Sequence, residues 1–134
     1  MAKRFNIFRK SEDYNSPLKR RLCIDIDAHD SKKIRDYLYA NKDEFLLIVE
    51  RILTLKNMYY DGFKIEYKEG KNKVSAIKFY DKKNTRIYCQ EMTDENGEFF
   101  IICAKLFNKK SQKNGKKNNP ILKEIAKHEY THKP

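Results

Sequence analysis

Alternating hydrophobic and polar positions predict the first strand of the chain. Leu22, Ile24 and Ile26 alternate with the residues between them, and period two is the side-chain repeat of a β-strand. The preceding residues show no sustained periodicity and reach an Asn-Ser-Pro turn signal. We therefore predict that residues 1–20 form a basic N-terminal arm or an extra edge element. Residues 21–134 are predicted to form a single domain.

Helical spacing follows over residues 31–56. Asp30 and Ser31 are suitable N-cap residues, and Asn41 with Glu44 has the spacing of a capping box. The apolar positions recur three and four residues apart. They are Ile34, Tyr37, Leu38, Phe45, Leu46, Ile48, Val49, Ile52 and Leu53. This pattern predicts two consecutive helices in a helical hairpin.

Period two returns after the helices. The predicted strands cover residues 63–67, 74–80, 85–92 and 98–107. The last turn contains Asn96-Gly97, the strongest short-range signal for a β-hairpin. Asn119 as N-cap and Pro120 at the first helical position begin a final helix. The order predicts an α+β fold: a small antiparallel sheet with an N-terminal helical hairpin and a C-terminal helix packed on one face.

Basic residues are concentrated at both ends of the chain. The 134 residues carry a formal net charge of +11. Residues 1–21 hold seven basic and two acidic residues, residues 22–104 hold 14 and 15, and residues 105–134 hold nine and two. Clustered cations gain affinity for a polyanion by displacing its counterions. A lysine-rich solubilising surface is the alternative explanation.

Composition excludes several classes of protein. No apolar run approaches the roughly 20 residues that cross a bilayer, and the N-terminus has no apolar stretch typical of a secretory signal. Cys23, Cys89 and Cys103 form no CxxC pair, which argues against a disulfide framework or a zinc site. They are expected to be buried, inert thiols. We expect a cytoplasmic protein without membrane association.

The Asn96-Gly97 hairpin predicts that two cations share one sheet face. With Asn96 and Gly97 as the loop, Arg86 faces Phe107 and Lys105 is its diagonal neighbour. With a loop one residue earlier, Arg86 faces Lys105 directly. Only a bulge would separate them. A phosphodiester bound between them would explain the like charges. The alternative is that both stems extend to solvent, or that Glu66 or Glu91 neutralises them.

A basic stretch and two histidines follow this strand. Residues 108–119 contain five lysines and no hydrophobic residue, which predicts a basic loop. The lysines are Lys109, Lys110, Lys113, Lys116 and Lys117. A solvated lysine run is the alternative explanation, particularly for the last two. His128 and Tyr130 lie near the C-terminus. A histidine side chain can transfer protons near neutral pH. The alternative is that these residues have no role, because terminal residues often fray.

Motifs of other enzyme classes are missing from the sequence. It contains no GxGxxG, P-loop, HExxH or GxSxG motif. Asp25 and Asp27 are interpreted as strand-edge acids rather than metal ligands. A metal-dependent nuclease needs several acids around its cation, whereas the surface predicted here is basic. No cofactor is expected.

The chain from Val74 onward resembles the RelE/ParE superfamily of bacterial type II toxins, particularly its HigB-like, phage-derived branch. The most specific element is an F-x-K-K-x-Q-K string over residues 107–113. A Thr-Arg-Ile-Tyr segment contains Arg86, and the last helix has Ala followed by a late Tyr. Lys78 stands where the family usually has Arg, and Lys105 where His is frequent. Residues 1–20 have no counterpart.

The resemblance implies a ribosome-dependent mRNA endoribonuclease that inhibits translation. Its cognate antitoxin is expected to be a small helix-turn-helix protein. The ribose 2′-hydroxyl would attack the adjacent phosphate without a metal ion. Arg86 would bind the phosphate. The other catalytic candidates are Lys105, Lys109, Lys110, His128 and Tyr130, and the RNA-binding candidates are Lys78, Lys113, Lys116 and Lys117.

Two rival functions remain open at this point. A same-fold toxin acting on DNA gyrase would share the architecture without cutting RNA. A non-catalytic nucleic-acid-binding module would use the same basic face. The roles of general acid and general base are not assigned by spacing, and both His128 and Tyr130 are candidates for the base.

Overall fold

The computed structural model describes residues 2–108 and 119–131. Within these ranges the chain forms six strands, three α-helices and a short 3-10 helix, Ser11–Tyr14. The strands are β1 (Phe5–Lys10), β2 (Arg20–Asp25), β3 (Phe63–Glu69), β4 (Asn72–Lys78), β5 (Thr85–Thr93) and β6 (Phe99–Asn108). The α-helices are α1 (Ser31–Ala40), α2 (Lys42–Thr54) and α3 (Asn119–Ala126). The α+β class is confirmed.

All six strands belong to one mixed sheet. Their order is β1-β2-β6-β5-β4-β3, and β2 runs parallel to β6 while every other pair is antiparallel. The prediction of a small antiparallel sheet is therefore wrong. The residues of β6 are buried from Phe100 to Ala104, as expected for a strand inside the sheet rather than at its edge. One edge of β6 pairs with β5 and the other edge pairs with β2. Residues 5–10 form an edge strand, the second of the two alternatives for the N-terminal segment.

Helices cover both faces of the sheet. The first face buries Ile87 and Ile101 against α1 and α2, whereas the second buries Tyr88 and Ala104 against α3. We call the second one the α3 face. The prediction that all helices pack on one face is wrong, because the central strands β5 and β6 are apolar on both sides and each side must be shielded from water.

The predicted cap residues have other partners. Within the described residues, Asp30 makes no side-chain hydrogen bond to α1, and its Oδ2 instead accepts one from the backbone N–H of Leu106 in β6 at 3.3 Å. Asn41 likewise makes none to α2; its Nδ2 donates to the carbonyl of Tyr37 at the end of α1. The capping-box interpretation of Asn41 is therefore wrong.

The three cysteines are free and buried, as predicted. Cys89 and Cys103 are cross-strand partners in β5 and β6, with sulfur atoms 3.7 Å apart. Burial raises the pKa of the Cys23 thiol and of the Cys89 thiol, which keeps both protonated and unreactive.

Candidate nucleic-acid interface

Three cations lie together near one end of the α3 face. Lys78 in β4 and Arg86 in β5 are direct cross-strand partners. Arg86 also pairs with Phe107 in β6, and Tyr88 pairs with Lys105, so Lys105 is the diagonal neighbour of Arg86. Directly opposite side chains have Cβ atoms about 4.5–5.5 Å apart, and like charges at that spacing are unfavourable. We call Lys78, Arg86 and Lys105 the cationic row.

A β-bulge places Lys105 on this face. The last pair before the hairpin loop is Thr93 with Phe99, so the loop has five residues and the predicted two-residue loop is wrong. Continued without interruption, that register would put Lys105 opposite Ile87, on the other face. The register shifts by one residue at Ala104, and the extra residue restores the predicted pairing of Arg86. The bulge brings the two cations together rather than separating them.

Ion pairing distinguishes the three cations. Lys78 Nζ lies 3.4 Å from Glu66 Oε1, and Lys105 Nζ lies 3.2 Å from Asp30 Oδ2. Arg86 is half-buried. Within residues 2–108 and 119–131, no carboxylate pairs with Arg86 and no acceptor receives a hydrogen bond from it. Among the described residues the Arg86 guanidinium therefore keeps its hydrogen-bonding capacity, five N–H groups in a planar fork that matches phosphate geometry.

Lys105 also borders a cavity of about 160 Å³ on the same face. His128, Lys3, Asp30 and Glu124 contribute polar side chains to its described lining. The cavity brings together Lys105 and His128, two of the predicted catalytic residues, from β6 and from the segment after α3. Lys105 therefore connects the cationic row with a titratable histidine.

Tyr130 is joined to His128 and to a buried acid. The Tyr130 hydroxyl donates to Asp25 Oδ2 at 2.7 Å, and His128 Nδ1 lies 3.1 Å from the Tyr130 oxygen. Burial, together with the hydrogen bond to Asp25, raises the pKa of Tyr130. Burial and the Lys3 ammonium lower the pKa of His128. At neutral pH the histidine is therefore neutral and the tyrosine keeps its proton.

The remaining predicted residues fall on a part of the chain that is not described. Lys109, Lys110, Lys113, Lys116 and Lys117 lie outside the described residues.

Three residues of this region were missed as site components. Lys3 and Asp25 form an ion pair of 3.3 Å beneath Tyr130, and Asp30 holds Lys105. Asp25 is interpreted from the sequence only as a strand-edge acid, although its position directly after the apolar run Leu22–Ile24 signals a buried, partnered carboxylate. Lys3 carried no distinguishing signal in the sequence.

Over residues 2–108 and 119–131, no three His, Cys, Asp or Glu side chains are grouped to hold a metal ion. None of the helices described there has the length and apolar character needed to cross a membrane.

Comparisons with protein-family models, curated proteins and solved structures returned no match for this chain.

Proposed function

We propose that this protein is a toxin of the RelE/ParE type that cleaves mRNA on the ribosome. The observation that carries the proposal is Arg86, which has no acceptor among the described residues and lies directly opposite Lys78 with Lys105 on its diagonal. A bound phosphodiester would relieve the repulsion within this row. Two oxygens of the phosphate match the planar fork of a guanidinium.

The proposed reaction is an internal transesterification of RNA. The ribose 2′-hydroxyl attacks the adjacent phosphorus, the bond to the 5′-oxygen breaks, and the products are a cyclic phosphate and a 5′-hydroxyl. Arg86 stabilises the additional negative charge in the transition state, where a preorganised donor is most effective. Lys105 orients the backbone or protonates the leaving oxygen, with Lys109 and Lys110 as further cations. A general base accepts the proton of the 2′-hydroxyl. Of the two candidates, the Tyr130 phenol keeps its own proton at neutral pH, because burial and the hydrogen bond to Asp25 raise its pKa, which leaves His128.

The proposed protein partner is an antitoxin whose acidic segment covers Arg86 and Lys105. The formal net charge of +11 favours an acidic partner, and electrostatic steering of such a complex weakens as salt is added. We expect the protein purified from its native operon to carry this partner. Purification as a free monomer would contradict the assignment of the partner.

The principal test is Arg86→Ala, with Arg35→Ala as the matched control. Arg35 lies in α1, which packs on the opposite face of the sheet, so both variants lose one guanidinium and only one loses the proposed ligand. Cleavage of ribosome-bound mRNA is measured by primer extension, and circular dichroism confirms folding. We expect Arg86→Ala to lower the rate by about 10²-fold or more, as does loss of one preorganised transition-state donor. Cleavage near the wild-type rate would refute the proposal.

A non-catalytic RNA-binding module is the second candidate. One observation favours it: the Tyr130 hydroxyl, a candidate catalytic group, already donates a hydrogen bond to Asp25. Salt-dependent RNA binding without cleavage would support this candidate. Growth arrest on induced expression, with intact mRNA and inhibited DNA gyrase, would instead support the gyrase-directed alternative.

A further inference from the structure

The segment after α3 is fixed to the N-terminus rather than frayed. The backbone N–H of Lys3 donates to the carbonyl of Glu129 at 2.7 Å, and the N–H of Thr131 donates to the carbonyl of Lys3 at 3.0 Å. The Tyr130 ring packs edge-on against Phe5 at a centroid distance of 6.0 Å. His128 and Tyr130 are thereby held in defined positions beside β2.

Asp25 determines the direction of the hydrogen bonds in this cluster. Its side chain is completely buried, its Oδ1 accepts from the backbone N–H of Asp27 at 2.7 Å, and its Oδ2 faces the Lys3 ammonium at 3.3 Å. A carboxylate with these partners is an acceptor. Tyr130 has a single hydroxyl proton, and the 2.7 Å contact places it between the Tyr130 oxygen and Asp25.

The Tyr130 oxygen can therefore only accept from His128. At 3.1 Å, His128 Nδ1 must carry the proton of that hydrogen bond, because two lone pairs would otherwise face each other. A neutral imidazole protonated at Nδ1 has its free lone pair on Nε2. No described residue forms a hydrogen bond with Nε2, and the His128 side chain lines the cavity that contains Lys105.

We propose that Asp25 and Tyr130 are positioning residues that hold His128 in its Nδ1–H tautomer, so that Nε2 accepts the proton of the attacking 2′-hydroxyl. This inference rests on the proposed ribonuclease function and assigns the general base within it. The proton moves to Nε2 as the 2′-oxygen bonds to phosphorus. The bond to the 5′-oxygen breaks, and Lys105 supplies the proton that completes the 5′-hydroxyl. Solvent then restores both groups.

The charges around His128 are compatible with a neutral base. Lys3 faces it from the N-terminal segment and lowers the pKa together with burial, whereas Asp25 and Glu124 oppose that effect. Lys105, Asp30 and His29 line the same cavity from the sheet and the loop before α1. A histidine that is neutral at pH 7 is able to accept a proton there.

The test compares Tyr130→Phe with Tyr39→Phe in the full-length protein. Tyr130→Phe removes the hydroxyl and keeps the ring that packs on Phe5, whereas Tyr39 is 82% exposed in α1 and serves as the control. Nitrogen-15 NMR of histidine-labelled protein reports the tautomer directly. Single-turnover cleavage at several pH values reports the chemical step, and RNA binding is measured separately.

We expect wild type and Tyr39→Phe to show the Nδ1–H tautomer, and Tyr130→Phe to lose it. The cleavage rate of Tyr130→Phe should fall about 10-fold or more without loss of RNA binding, as expected when a general base worth about 10²–10⁴-fold is mispositioned. An Nε2–H tautomer in the wild type, or an unchanged cleavage rate in Tyr130→Phe, overturns the inference. Absence of cleavage by wild type together with the Nδ1–H tautomer refutes the proposed function but leaves the positioning of His128 supported.

Discussion

Replacement of Gln90 by methionine should destabilise the attachment of α3 to the sheet. Gln90 lies in β5 and is buried. Its Nε2 donates to the carbonyl of Ile125 at 2.9 Å and to the carbonyl of His128 at 2.7 Å. The Ile125 carbonyl belongs to the last turn of α3, where carbonyl groups lack donors within the helix, and the His128 carbonyl lies in the segment that follows α3. Methionine has a similar shape but no N–H group, so this change removes both donors and creates little empty space.

The expected loss is about 1–3 kcal/mol in the free energy of unfolding, the sum of two net hydrogen-bond contributions. The bond to Ile125 is buried, but this carbonyl keeps a second hydrogen bond from the backbone N–H of His128 at 3.1 Å, so the loss is the net value of one bond, about 0.5–1.5 kcal/mol. The bond to His128 is only partly buried, so water can replace it and the loss is nearer to the net value of about 0.5–1.5 kcal/mol. The sum is a large fraction of the stability of a small domain.

Equilibrium urea unfolding measures this loss. The chain has no tryptophan and nine tyrosines, so tyrosine fluorescence and circular dichroism serve as two probes, and coincident transitions establish two-state behaviour. Lys68→Met is the control, because Lys68 is exposed in the edge strand β3 and should change stability by less than about 0.5 kcal/mol. A loss of less than about 0.5 kcal/mol for Gln90→Met would refute the assignment of Gln90 as the anchor of α3.

Two further substitutions and one titration test the electrostatics and the core. Burial raises the pKa of Glu91, so the folded state binds its proton more tightly than the unfolded state. Stability should therefore fall as pH rises above the unfolded pKa, and Glu91→Gln should be more stable than wild type at pH 7 in thermal unfolding. For Asp81, burial acts to raise the pKa, but hydrogen bonds from Thr85 and Tyr37 outweigh it and lower the pKa to about 2. NMR titration should show this low midpoint, and a midpoint at the ordinary value would contradict these contacts. Ile52 is completely buried, so Ile52→Ala should cost about 2–5 kcal/mol in urea unfolding.

The helices and most strands were predictable because their signals are local. The alternation around Leu22 and Ile24 and the helical spacing around Ile48 and Ile52 depend on neighbours a few residues away. Apolar residues recur with the period of the element that buries them, and this holds for any tertiary arrangement. The pairing of Arg86 with Phe107 was also predicted, although from a hairpin loop that does not occur.

Contacts between distant parts of the chain were not predictable from these patterns. The parallel pairing of β2 with β6 joins Leu22 to Ile101, and an apolar strand satisfies its hydrophobic pattern beside any suitable neighbour. The bulge at Ala104 lies at the end of five consecutive buried positions, Phe100 to Ala104, where no alternation of apolar and polar residues marks an extra residue. Its consequence is the position of Lys105, which the hydrophobic pattern alone leaves undetermined.

The sequence by itself determined the kinds of secondary structure, their order, the basic termini and the candidate cations. Tertiary structure decided which of these side chains meet. Asp25 and Tyr130 are 105 positions apart, and they meet because β1 pairs with β2 while the segment after α3 is hydrogen-bonded to Lys3, just before β1. Hydrophobic periodicity records the burial of each element separately, whereas a hydrogen bond between two distant side chains depends on the three-dimensional packing of the elements that carry them.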